Sequence, residues 1–245
     1  MILNNKKIIV VGSEGLIAKK IVDEILHEGG QPICLDLNVA TDKNQNRYNF
    51  DITNFEKVKI NLEDIISSYD KIDGFVNCSY PKTSDWGNQI ESVSNKSFIK
   101  NLDIQLVSFF NALKIVTKHM KKFNEGSILS FSSIYGILAN DFNLYEGTEI
   151  NPPVAYSAIK GGLISLNRYL ASFYGKYNIR FNCISPGGVY DKQDPKFVER
   201  YEEKVPLGRM ARPEDISSVA IFLLSDGSSY LTGQNLIVDG GYSVK

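Results

Sequence analysis

The residues best suited to chemistry lie in "NPPVAYSAIKGGL", Asn151 to Leu163, where Tyr156 and Lys160 stand four residues apart behind a double proline. Proline pre-sets the backbone for a helix start, so the spacing predicts a helix opening near Val154 that carries the phenol and the ammonium on one face. A free phenol, with a pKa of about 10, is too weak an acid to exchange protons readily near neutral pH. An ammonium about 4 Å away would favour the phenolate by roughly 4 kcal/mol at an effective dielectric of 20, equivalent to about three pKa units. The pair is suited to proton transfer. A second chemical feature is "IIVVGSEGLIAKKIV", a strand, a glycine turn and a helix start, the context that a dinucleotide phosphate site requires. Gly12 can make the tight turn, Gly15 lets the backbone approach a pyrophosphate, and Ala18 allows close helix packing. The helix N-terminus then offers free amides to the phosphates. Asp36 in "PICLDLN" ends the next expected strand, where a carboxylate accepts hydrogen bonds from ribose hydroxyls and repels a 2'-phosphate. Neither Ser13 and Glu14 in the turn nor Leu37 and Asn38 after Asp36 supply an arginine, so NAD is favoured over NADP.

Elements must hold these groups together. Short apolar runs predict strands at Lys7 to Val11, Pro32 to Asp36, Tyr48 to Asp51, Ile72 to Cys78, Ser127 to Ser132, Ile179 to Ser185 and Asn235 to Val238. Helical patterns lie between them, at Leu16 to Glu28, Phe55 to Tyr69, Asn95 to Lys122, Val154 to Tyr177 and Pro213 to Leu224. In the third of these, Phe98, Leu102, Leu106, Phe109, Leu113, Val116 and Met120 recur at steps of three or four and mark one buried face. The alternation predicts an α/β protein with a Rossmann-type, doubly wound parallel sheet in a single domain over residues 1–245. Two long connections, 139–153 and 187–205, follow the C-terminal ends of strands, the side where open α/β sheets bind ligands.

Composition excludes other classes. A net charge of −1 with scattered charges gives no basic stripe for a nucleic acid. The N-terminal apolar run is too short for a signal-peptide core and no window reaches membrane length, so a cytoplasmic protein is expected. Cys34, Cys78 and Cys183 lack metal or redox spacing and are expected to be reduced and buried; no metal site is expected. The two histidines, His27 and His119, fall on expected helix surfaces away from the strand ends, which argues against a Ser-His-Asp hydrolase.

The succession "VVGSEGLIA", "FSSIYG", "YSAIK", "NCISPGG" and "GQNLIVDGG" resembles the short-chain dehydrogenase/reductase family in its compact form, over nearly the whole chain. The resemblance implies that Tyr156 is the catalytic acid/base, that Lys160 lowers its pKa and holds the nicotinamide ribose, and that Ser133 binds the substrate oxygen. It places Gln105 where the family has a fourth catalytic residue, an asparagine, with Asn101 and Asn111 as alternatives. "FVNCSYP" stands where the family has Asn-Asn-Ala-Gly, with Asn77 retained. The implied cofactor set is Gly12, Ser13, Glu14, Gly15, Leu16, Ile17, Asp36, Asp51, Ile52, Asn77, Tyr156, Lys160, Pro186, Gly187 and Val189. Asp191 replaces the threonine expected after the Pro-Gly pair.

Ser133 and Tyr156 are separated by about ten more residues than in compact relatives, and the extra stretch carries hydrogen-bonding groups suited to a polyhydroxylated substrate. Tyr145 and Glu146 within it, and Lys82 on a neighbouring loop, are candidate substrate contacts; Lys192, Lys196 and Arg200 are further cations near the same mouth. A finer resemblance, to members encoded among bacterial surface-sugar genes, implies a sugar, sugar phosphate or nucleotide-activated sugar. The alternatives are a 3-oxoacyl or general ketone reductase using NADPH, and a non-catalytic dinucleotide-binding module. Apolar side chains such as Phe109, Phe110, Tyr169 and Phe173 on the two long helices predict a homodimer or homotetramer.

Overall fold

The structure, a computed structural model, describes all 245 residues. Seven parallel strands form one sheet: β1 (Lys7–Val11), β2 (Gln31–Asp36), β3 (Arg47–Asn49), β4 (Gly74–Asn77), β5 (Gly126–Phe131), β6 (Ile179–Pro186) and β7 (Asn235–Val238). Their order is β3-β2-β1-β4-β5-β6-β7, so the strand order reverses between β1 and β4 and opens a crevice there. Seven α-helices cover the sheet: α1 (Leu16–His27), α2 (Phe55–Ser67), α3 (Asn95–Leu102), α4 (Ser108–Met120), α5 (Val154–Tyr174), α6 (Pro195–Lys204) and α7 (Pro213–Leu224).

Strand side chains alternate between faces, and the two cores follow from that period. Ile9, Val11, Phe75, Ile128 and Phe181 pack under α2, α4 and α5, while Ile8, Val10, Val76, Leu129 and Ile184 pack under α1 and α7. A third, smaller cluster, Ile134, Leu144, Phe197, Tyr201, Val205 and Met210, joins α6 to the loop after β5 and walls the open end of the crevice.

Four expectations change. The segment 187–205, expected as a connection, contains α6, capped by Asp194, whose side chain accepts from the Lys196 amide. The long helix expected over Asn95 to Lys122 is interrupted by a π-helical turn, Asp103–Val107. Phe109, expected both on the buried face of its helix and among the aromatics of a subunit contact, is buried against Phe75, whereas Phe110, Tyr169 and Phe173 are at the surface. His119 is likewise half-buried and accepts a hydrogen bond from the Ile72 amide, at the end of the sheet opposite the crevice.

Candidate active site

A cleft of about 590 Å³ opens at the C-terminal ends of β1, β4, β5 and β6. Its lining gathers Ser133, Tyr156, Lys160 and Gln105 with Gly15, Leu16, Ile17, Asn77, Pro186, Gly187 and Val189. Of the residues expected to meet a cofactor, Gly12, Ser13, Glu14, Asp36, Asp51 and Ile52 stand outside this lining. Asp36 ends β2, beside the glycine turn: its carboxylate accepts from the Glu14 and Asn38 amides at 3.0 and 2.8 Å. Asp51 accepts from the Thr53 amide and hydroxyl, and Ile52 is in the core.

Helix α5 begins at Val154 behind Pro153 and carries Tyr156 and Lys160 one turn apart. It can seat closely on the loop after β5 because residue 136 is glycine: a Cβ there would lie 2.5 Å from Ser132 Oγ and 2.9 Å from the Lys160 carbonyl carbon. Lys160 is buried, its Nζ donates to the Phe131 carbonyl at 2.7 Å, and it stands 5.3 Å from the Tyr156 ring centre. Burial lowers its pKa to about 8. Burial pushes the Tyr156 phenol above its ordinary range, and the neighbouring Ser133 hydroxyl works in the opposite direction. In the free protein desolvation is the larger of the two effects, so the phenol's net direction is upward. Tyr80 and Trp86 pack edge-on around the Tyr156 ring at 6.0 and 6.3 Å, and Trp86 Nε1 donates to Tyr80 Oη at 2.9 Å, which fixes the ring's position.

Gln105 projects from the π-helical turn into the cleft, buried, with Nε2 free of any hydrogen-bond partner. Asn101 instead spends its amide on Thr83 and Ser97, which makes it a scaffold residue, and Asn111 does not line the cleft.

On the substrate side Tyr145 lines the cleft and donates to Tyr135 Oη at 3.1 Å. Lys82 and Glu146 are exposed and stand outside this lining. Lys192 and Lys196 are also exposed, while Arg200 donates to the carbonyls of Asn143, Leu144 and Glu146 and so ties α6 to the preceding loop. Sequence reasoning missed Tyr201 and Gln193, because both lie on or beside the unforeseen α6. Tyr201 Oη accepts from the Gly188 amide at 2.5 Å, and the Gln193 side chain clamps the Val189–Asp191 backbone.

The chain's own geometry suits a dinucleotide. Gly12 has φ +74°, and a Cβ there would lie 2.8 Å from the Ser79 amide nitrogen, so only glycine lets β1 turn this close to β4. Helix α1 starts with no side-chain cap and no acidic residue in its first turn, leaving its amides and positive dipole end for a phosphate. A Rossmann crevice with a proton-transfer pair beside it defines a class of protein, the nicotinamide-dependent oxidoreductases.

Comparison with known proteins agrees and narrows the class. Residues 13–243 match the family model described as enoyl-(acyl carrier protein) reductase. The chain is 35% identical to post-translational flagellin modification protein A of Campylobacter coli, over 99% of this chain and 100% of that protein. It is 30% identical to 3-oxoacyl-[acyl-carrier-protein] reductase FabG of Chlamydia trachomatis, over 98% of each. A crystal structure of a short-chain dehydrogenase from Leptospira borgpetersenii with bound NAD+ superposes with a TM-score of 0.89 at 32% identity, covering 98% of this chain and 94% of that one. The chain belongs to the short-chain dehydrogenase/reductase family and is an NAD(P)-dependent oxidoreductase. No helix is long and apolar enough to cross a membrane.

Proposed function

We propose that the protein interconverts a secondary alcohol and a ketone with NAD(H), on a sugar, sugar phosphate or nucleotide-activated sugar used in bacterial surface glycans. The observation that carries this reading is the meeting of Ser133, Tyr156 and Lys160 in one cleft that runs from the glycine turn to a mouth of tyrosines, Tyr135, Tyr145 and Tyr201. Phenols and the nearby Asn151 and Gln193 amides suit hydroxyl groups, and aromatic rings suit the C–H face of a sugar. Similarity to a flagellin modification protein is in keeping with a role in modifying a bacterial surface structure.

In ketone reduction, Tyr156 Oη gives its proton to the ketone oxygen while Ser133 Oγ–H holds that oxygen in place. Pro186, Gly187 and Val189 would hold a nicotinamide at this cleft, and the group would supply the hydride for the carbonyl carbon, or accept it from the alcohol in the reverse direction. Lys160 favours the phenolate left on Tyr156 and shares its cleft wall, so its ammonium is placed to return the proton. Gln105 Nε2 is a free donor at the inner end of this path. Asp36 favours NAD by accepting from the ribose hydroxyls. The protein works in the cytoplasm, where sugar donors and dinucleotides are made, as a homodimer or homotetramer joined through α4 and α5.

Similarity to a 3-oxoacyl reductase supports a second reading, reduction of an acyl thioester with NADPH. A panel of nucleotide sugars, sugar phosphates, free sugars and acyl thioesters, followed by the absorbance of reduced nicotinamide, separates the two. Turnover on sugars with NAD(H) is expected; turnover on thioesters with NADPH would replace the sugar reading.

A further inference from the structure

We infer that Glu14 sets the choice of dinucleotide by occupying Arg47, a cation that would otherwise receive a 2'-phosphate. The inference rests on the dinucleotide reading above and concerns its ribose end. The sequence places no arginine in the glycine turn or after Asp36, but the sheet brings one from another strand. Arg47 pairs with Cys34 across β3 and β2, and Cys34 is two positions from Asp36, so the three side chains share one face of the sheet. Arg47 Nη2 donates to Glu14 Oε1 at 2.6 Å, and Lys19 Nζ lies 3.4 Å from Glu14 Oε2. Glu14 is the only side chain that Arg47 hydrogen-bonds.

The position of Glu14 gives the ion pair its consequence. Its own amide donates to the Asp36 carboxylate, the group that accepts from the ribose hydroxyls. Two carboxylates, Asp36 and Glu14, therefore meet two cations, Arg47 and Lys19, beside the ribose, and the balance is neutral. A phosphate on the 2' oxygen meets Asp36 with no cation to spare. Without the Glu14 charge, two cations face one carboxylate, and a guanidinium whose planar fork matches phosphate oxygens is released next to them. Asp36 excludes the phosphate by repulsion; Glu14 excludes it by keeping its counter-ion engaged.

Calorimetric titration with 5'-AMP and with 2',5'-ADP isolates this end of the cofactor from the reaction. The native protein is expected to bind 5'-AMP at least about tenfold more tightly than 2',5'-ADP, a difference of about 1.4 kcal/mol. Glu14→Gln is expected to shift that ratio at least about tenfold toward 2',5'-ADP, with a parallel shift in NADPH over NADH binding, and adding Arg47→Ala is expected to remove the gain. Glu14→Ser, too short to reach Arg47, carries the same expectation should Glu14→Gln fold poorly. An unchanged ratio in both Glu14 variants, or a gain that survives loss of Arg47, overturns the inference while 5'-AMP binding leaves the dinucleotide reading standing. Failure of the native protein to bind 5'-AMP, NADH or NADPH overturns both.

Discussion

Tyr156 and Lys160 are legible in the sequence because their relation is local: a proline stop, a helix and a four-residue step bring them to one face whatever the rest of the chain does. Their electrostatics are not local. The same burial that excludes water from the cleft raises the phenol and lowers the ammonium to about 8, so the free protein holds a protonated tyrosine beside a lysine close to its titration point. Ketone reduction needs the phenol protonated and the ammonium present to favour the phenolate it leaves. Measured at limiting NADH, so that the free protein titrates, the reduction rate is expected to fall above about pH 8 by about tenfold per unit, because the ammonium is lost as pH rises through its pKa. A rate that stays level to about pH 10 would mean that Lys160 titrates as an ordinary lysine. Arg47 is the opposite case. Its place beside Glu14 depends on the pairing of β2 with β3, which no short spacing reveals. Lys82 and Glu146 are exposed, and residue type alone does not report which way a loop turns its side chains.

The strands and most helices follow from apolar period, and α7 has the expected bounds, Pro213–Leu224. Helix α6 is hard to read from the sequence because Gly187, Gly188 and Pro195 read as loop chemistry and, after Pro195, only Phe197, Val198 and Tyr201 within it are apolar. Its burying partners are the residues of the loop after β5 rather than the sheet, so its pattern has meaning only in three dimensions. The π-helical turn at Asp103–Val107 is equally invisible to periodicity: it adds one residue to a turn and re-aims Gln105 into the cleft without disturbing the apolar face on either side. A buried amide without a partner costs stability, about 1–3 kcal/mol for such a group. Gln105→Leu is therefore expected to leave the melting temperature unchanged or raised while turnover falls about tenfold or more. Loss of melting temperature with unchanged turnover would make Gln105 a packing residue.

At the scale of the molecule, alternating strands and helices define the sheet class and not the list of neighbours; what the sheet adds is the reversal between β1 and β4, which places the glycine turn, Asn77 and the α5 pair around one crevice. The outer surface of α4 and α5 bears Phe110, Tyr169 and Phe173, the last two stacked with ring centres 6.5 Å apart. Such a face suits a second copy of the chain. Light scattering is expected to give a dimer or tetramer, and Tyr169→Glu with Phe173→Glu a smaller species; a native monomer would contradict that arrangement. The proposed chemistry depends on Tyr156 as the proton donor at the reacting oxygen. The most direct test compares native protein with Tyr156→Phe, recording NADH affinity and turnover on whichever sugar substrate the panel yields. NADH binding close to native and turnover reduced by about a thousandfold are expected. Turnover near the native rate in Tyr156→Phe would contradict that role.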